Sequence, residues 1–465
     1  MKTSEIKKIV DGFTFKEFNL DKRPQYDVDK VRAIDLLTPK RIDVVAKYMY
    51  MLFKQQKIKS GLAEEVYRNH IEIFSEGGFY EPGSETKTSY EDFLKEYDQI
   101  YDSLKKKGFD VKKSLIPVGN DGVIINGGHR TAASILLDQE VGILEIPDHA
   151  APRYDFKYFE KGKMPSEYLD FLISSYIRLT PSTVYTICLW PKAVKINRLK
   201  ECEKQIYDDT NVIYKKTLSL TRIGLKNLMM HLYRNEQWVG GGKDNFMGTY
   251  GKVDSCYAKA DTIVYFVEAD SLETIINLKN KIRSIYGVDK RSVHITDTKQ
   301  ESLFAADLVL NSHGPLAMNC GYPSKLNSKL KTLEKQLSEM KNKDVILNPL
   351  YTLQYFGRDV KIEGDDLWPI KKLNKDVTYD ARNFFTYCGF KLFAPEYAKE
   401  LCDEKYAAQF DDIIKKEKIS TGARMKESIS RAAYRTKRRT KATLRKVGLL
   451  KVVYKIKGRH SDKNK

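Results

Sequence analysis

Ten consecutive residues, Asp121-Gly-Val-Ile-Ile-Asn126-Gly-Gly-His-Arg130, bring together the side chains and backbone needed to grip an anion. Leu115 to Val118 and Val123 to Ile125 read as two short strands, with Gly119-Asn-Asp-Gly122 as the turn between them. The glycine pair then opens an apolar helix through Thr131-Ala-Ala-Ser-Ile-Leu-Leu137. Backbone N–H groups at a helix start, flanked by a His and an Arg, suit phosphate. Asn126, Gly127, Gly128, His129 and Arg130 are therefore the candidate phosphate- or nucleotide-binding residues. The plainer reading is a glycine-rich turn whose His and Arg are merely exposed.

Two further groups of residues could do chemistry. His294 and Asp297 lie three apart at a strand end, where a His can act as general base on a sugar hydroxyl. Glu268 ends a neighbouring strand, and His313 follows the next helix. The alternative for His294 is a structural role, held by Asp297 or by Thr298 at a helix cap. Arg358, Asp359, Asp365 and Asp366 could hold a Mg²⁺ and the diphosphate it bridges, or could form a solvated acidic turn.

The elements that must position these groups follow from apolar spacing. Arg41 to Lys57, Ala63 to Phe74 and Ser89 to Lys107 read as helices, and Val141 to Ile146 as a strand. Residues 1–30 are polar and are expected to pack loosely. Farther on, Thr262 to Glu268 is a strand and Ser271 caps a helix to Tyr286, which Gly287 stops. Ser292 to Ile295 is the next strand, and Gln300 to Leu310 the next helix. This alternation predicts an α/β sheet with ligand groups at its carboxyl edge. Ser324 is the expected cap of a charged helix to Lys341, Thr386 to Phe393 a strand pair bent at glycine, and Asp411 the start of a last helix.

With 465 residues the chain has room for two or three domains. No run of 18 apolar residues predicts a transmembrane helix, and the first residues lack the apolar stretch of a signal peptide. Six cysteines form no CxxC, which argues against zinc and against a disulfide framework and fits a reducing cytoplasm. The net charge of +19 is uneven. From Thr421 to Lys465 there are 16 Lys and Arg against Glu427 and Asp462. Leu444, Leu449, Leu450 and Ile456 add apolar surface among them, which favours an anionic membrane surface as partner over nucleic acid.

The Asp121–Arg130 stretch resembles the ParB/sulfiredoxin-like fold, whose members carry a D-G-x-x-x-x-G-x-[HR]-R signature and mostly bind nucleotide phosphates. The likeness covers roughly residues 90–150. Sulfiredoxins place a catalytic Cys where this chain has Gly128, so thiol repair has no nucleophile here. ParB proteins have Glu there. More broadly, the chain resembles proteins encoded in bacterial capsule and lipopolysaccharide clusters. The matching stretches are His70-Ile-Glu-Ile-Phe74, Lys113 to Val118 with Asn126 to Arg130, Ser292 to Thr298 with Asn311-Ser312, and Phe356-Gly-Arg358 through Gly389 to Phe393 with Asp411-Asp-Ile413. The last part is similar to a nucleotidyltransferase-like fold, although its two Asp are adjacent here rather than one residue apart.

Together these features lead us to expect an α/β (α+β) multidomain protein. It would have an N-terminal extension (1–34), a ParB/sulfiredoxin-like phosphate-binding domain (35–150), an α/β transferase-like region (151–415) and a basic amphipathic tail (416–465). The resemblance implies a transferase of cell-surface polysaccharide biosynthesis, cytoplasmic and peripheral at the inner face of the membrane. Its donor would be phosphate-activated, a nucleotide sugar or phosphoribosyl diphosphate, and its acceptor a lipid-linked glycan. A ParB-like nucleotide-dependent kinase and a non-enzymatic nucleic-acid-binding protein remain alternatives.

Overall fold

In a computed structural model of the chain, residues 1–81, 86–341, 344–420 and 440 are described. The architecture is mixed α/β, with several small sheets. Contacts divide it into two compact units. The first takes in Met1–Lys57 and Gly61–Tyr168, and the second begins at Leu169 and includes Ile58–Ser60.

The first unit is built around a three-stranded sheet of order β1-β3-β2. Its elements are α1 (Gly12–Glu17), β1 (Val28–Arg32), α2 (Asp43–Gln55), α3 (Leu62–Phe74), α4 (Tyr90–Lys107), β2 (Ile116–Gly119), α5 (Gly128–Leu136) and β3 (Glu140–Ile146). β3 pairs antiparallel with β1 and parallel with β2, so α5 is the crossover of a βαβ unit. A capping box starts α4: Ser89 Oγ accepts from Asp92 N and the Asp92 carboxylate accepts from Ser89 N.

Residues 1–34 do not behave as a loose extension. β1 forms a full sheet edge, and Ile6, Val10, Phe15, Leu20 and Tyr26 are buried in one core with Leu115, Val123, Leu144 and Ile146. Their apolar residues are too sparse to show a period, yet nearly every one is used. Val123 to Ile125, expected as a strand, makes only a single bridge, Ile124 with Val118. Gly119 N donates to Val123 O at 2.9 Å and Ile125 N to Pro117 O at 2.7 Å. The return is then cut short, because Gly127 takes φ +89° and turns the chain into α5.

The second unit holds a four-stranded sheet of order β5-β6-β4-β7, from β4 (Val184–Leu189), β5 (Asn211–Leu218), β6 (Thr262–Glu268) and β7 (Val293–Ile295). Every neighbouring pair is antiparallel. The sequence alternation of β6, helix α8 (Leu272–Tyr286) and β7 is present, but β4 lies between the two strands and runs against both. The expected carboxyl-edge cleft of a parallel sheet is therefore absent from this sheet. One face is packed by Tyr185, Ile187, Leu189, Tyr265, Val267, Val293 and Ile295 against Ile275, Leu278 and Ile282 of α8. Helix α6 (Leu199–Asp209) lies between β4 and β5 in sequence, α7 (Arg222–Tyr233) between β5 and β6, and α9 (Lys299–Val309) follows β7.

Toward the end of the chain, α10 (Ser324–Glu339) starts without a side-chain cap; Pro323, not Ser324, holds the cap position. β8 (Val345–Leu347) pairs antiparallel with β9 (Leu367–Pro369), with α11 (Leu350–Tyr355) between them. β10 (Phe384–Tyr387) and β11 (Phe390–Phe393) form the anticipated hairpin. Cys388 at φ +49° and Gly389 at φ +86° make its tight turn. The last helix, α12 (Ala407–Ser420), begins four residues before Asp411. Residues 421–439 and 441–465, which carry the expected membrane contact, lie outside the described residues. Among the described residues no helix is long and apolar enough to cross a membrane.

Candidate functional site

A cavity of about 240 Å³ in the first unit contains all five residues proposed from the glycine motif. Its floor is the start of α5. Gly127 caps the helix in a left-handed conformation and brings no side chain to it. Thr131 N is the first to find a helical carbonyl, on Gly127 O at 2.9 Å. The N–H groups of Gly128, His129 and Arg130 thus precede the helical ladder, at the positive end of the helix dipole.

Asn126 plays a different part from the one expected. Its Oδ1 accepts from Gly127 N at 2.6 Å. Its Nδ2 donates to Asp11 Oδ2 at 3.1 Å and Thr14 Oγ1 at 3.2 Å. It fastens the loop to α1. His129 Nε2 shares a 2.9 Å hydrogen bond with Tyr67 OH, and its ring meets the Tyr97 ring edge-on at 4.7 Å. Burial, with Lys47 and Lys87 nearby, holds this imidazole well below the ordinary histidine range, so it is neutral. Arg130 Nη1 donates to Leu115 O at 3.0 Å and to Ser114 Oγ. Among the described residues Arg130 forms no salt bridge with a carboxylate, so its charge is the least compensated in the cavity.

Much of the rest of the wall comes from Arg41 and from α2 and α3, which motif reasoning missed, with Phe93 and Ile100 of α4 and Tyr154 beside them. Arg41 Nε and Nη2 grip Asp43 at 2.8 and 2.9 Å, and Lys47 Nζ meets Asp43 Oδ2 at 2.7 Å. All three side chains are buried. Burial pushes the Asp43 carboxyl up, but Arg41 and Lys47 outweigh it and hold it well below the usual carboxylate range. The triad is a net positive charge beside the helix start. Lys87 adds a cation paired with Glu81, and with Glu96 at 3.3 Å. The available signal was the spacing Arg41, Asp43, Lys47: charges one helical turn apart on a face otherwise filled by Val44, Ala46 and Tyr50.

His294 and Asp297 are not brought together. Strand alternation places Val293 and Ile295 in the core against α8, and Asp297 continues on that side, with its carboxylate 3.4 Å from Lys279 of α8. His294 is on the other face, with Tyr233 of α7 at 4.6 Å and Trp190 at 6.4 Å. Burial pushes its ring down to about 3. Glu268 is likewise buried, accepting from Tyr176 OH at 2.8 Å and Thr180 Oγ1 at 2.9 Å. His313 Nε2 meets Arg382 O at 2.7 Å.

Arg358 pairs with Asp412. Asp366 accepts from Tyr351 OH at 2.6 Å and Gln336 Nε2 at 3.2 Å, whereas Asp365 is exposed. Among the described residues no group of three or more His, Cys, Asp or Glu could hold a metal ion. The six cysteines are all free, and Cys188, Cys202, Cys256 and Cys388 are buried.

No family model, no curated protein and no solved structure matches the chain.

Proposed function

We propose that the cavity of the first unit binds the phosphate of an activated sugar donor, and that the protein is a transferase of cell-surface polysaccharide assembly. The observation that carries the phosphate reading is the convergence of the α5 start, the Arg41–Asp43–Lys47 triad and Arg130, which makes no salt bridge among the described residues, on one cavity. Charge-assisted bonds to phosphate oxygens are about twice as strong as neutral ones, and here their donors are already fixed. At about 240 Å³ the cavity is smaller than the roughly 300–1,000 Å³ that enclose whole small-molecule ligands. It has room for a phosphate and the sugar next to it, with the remainder of a donor outside. The transferase role, the lipid-linked acceptor and work at the inner face of the membrane rest on the sequence resemblance and on the basic tail. His294 and Asp297 do not enter this reading, because they face opposite sides of their sheet.

A thermal-shift panel of nucleotide sugars, phosphoribosyl diphosphate and ATP, with and without Mg²⁺, tests it. A ligand at a hundred times its Kd stabilises the fold by about 2.7 kcal/mol. The His129→Ala, Arg130→Ala double variant is expected to stay folded and lose that stabilisation. Equal ligand response in the folded double variant would defeat the phosphate reading. Release of ADP from ATP without any glycan acceptor would point to a kinase instead.

A further inference from the structure

His70, on α3, lines the same cavity and has a fixed tautomer. Its Nδ1 lies 2.6 Å from the backbone oxygen of Tyr67, one turn back along the helix. A carbonyl only accepts, so Nδ1 carries the proton. The ring is 2 % exposed and, with burial and then Lys47 opposing charge, is held down to about 3. A neutral imidazole has one proton, and that leaves Nε2 with a lone pair as the remaining polar atom of the ring.

The charged groups and the helix start in the cavity are of two kinds. Arg41, Lys47, Lys87, Arg130 and the α5 backbone are donors, suited to phosphate oxygens. The carboxylates are already accepting: Asp43 from Arg41 and Lys47, Glu81 from Lys87, and Asp11 from Thr14 N and Asn126 Nδ2. They would also repel a hydroxyl-bearing phosphate if brought closer. Beside the hydroxyls of Ser75, Tyr80 and Tyr154, His70 Nε2 is a neutral acceptor that a ligand can use without displacing an ion pair.

We propose that the ligand of this cavity carries a hydroxyl beside its phosphate, and that His70 Nε2 accepts a hydrogen bond from it, making the site selective for phosphorylated polyols such as sugar phosphates. The proposal rests on the reading that the cavity holds phosphate, and the test separates the two. Calorimetric titration of the full chain would compare glycerol 3-phosphate with propyl phosphate, which has the same anion and chain length but no hydroxyl. The wild type is expected to favour glycerol 3-phosphate by about tenfold, the worth of one well-made hydrogen bond. In His70→Asn the amide nitrogen replaces Nδ1 and keeps the bond to Tyr67, but nothing stands at Nε2; the preference should vanish while propyl phosphate still binds. In His70→Gln an amide oxygen can reach the Nε2 position, and part of the preference should return. Equal affinity of the wild type for both compounds, or an unchanged preference in His70→Asn, overturns the role of His70 and leaves phosphate binding standing. Binding of neither compound overturns both. A ¹⁵N spectrum that finds the His70 proton on Nε2 overturns the inference directly.

Discussion

Asp43 and Lys47 meet at 2.7 Å, one turn apart on α2, and the place a Gly128 side chain would take is 3.3 Å from both Asp43 Oδ2 and Lys47 Nζ. The helix that offers its N-terminus and the ion pair that charges the cavity are therefore in contact through a residue without a side chain.

Gly128→Ala is expected to test that contact. The Lys47 end can shift, but Asp43 is pinned by Arg41, so the added methyl crowds the cavity floor. Stability should change by less than about 1 kcal/mol, since Ala is the better helix residue. Phosphate binding should fall at least tenfold. Intact binding in calorimetry would show that ligands do not reach the α5 start.

Asp43→Asn is expected to be far more damaging to the fold. It leaves Arg41 and Lys47 buried without a countercharge, a change that costs about 3–5 kcal/mol in comparable buried pairs. Urea denaturation followed by circular dichroism measures it. A loss below about 1 kcal/mol would mean that water reaches the triad freely.

Acid should weaken the fold through three histidines, His70 and His231 buried and His294 partly buried. His70 and His294 are held down to about 3 and His231 to about 4, chiefly by burial. Their folded values lie below the unfolded value of about 6.5. The unfolded chain therefore binds more protons between those limits. Stability is fully present above about pH 6.5 and falls as pH drops toward 4 and 3, by up to about 1.4 kcal/mol per group for each pH unit. Denaturation midpoints at pH 7.5 and 5 should differ accordingly, and replacing His294 with Phe should flatten the dependence. A flat profile in the wild type would contradict the neutral state of all three.

The basic segment can be tested by ending the chain near Ile419. The truncated protein should keep its fold and lose binding to vesicles containing anionic lipid. Full-length binding should weaken with salt, at about 1 kcal/mol for each Lys or Arg near the surface. Equal vesicle binding by both chains would remove the membrane assignment, and tail-dependent binding to RNA alone would replace it.

Much of the scaffold was legible because its signals are local. Ser271 as cap, Gly287 as stop and Thr262–Glu268 as strand all follow from neighbours in sequence, and each stands where expected. The pairing of β6 and β7 was not legible, since β4 enters the sheet from 70 or more residues away and local periodicity carries no partner information. The same limit explains the site. Gly127 and Gly128 announce themselves by type. Arg41, Asp43, Lys47 and His70 reach the cavity only through helix packing, and no spacing between α2 and the glycine loop could reveal that. His294 and Asp297 lie on opposite faces for a simpler reason: three steps along an extended chain reverse the face.

Asp43 has a consequence for how any anion would be held. The cavity is not an empty positive hole waiting to be neutralised, because a tethered carboxylate already satisfies Arg41 and Lys47. An incoming phosphate gains only the difference between its own contacts and those it must share or take over. Occupancy is thus a competition with an internal rival at fixed, high effective concentration. An anion held in this way would exchange rapidly rather than be stored tightly, drawn by the net positive charge that the triad and Arg130 keep.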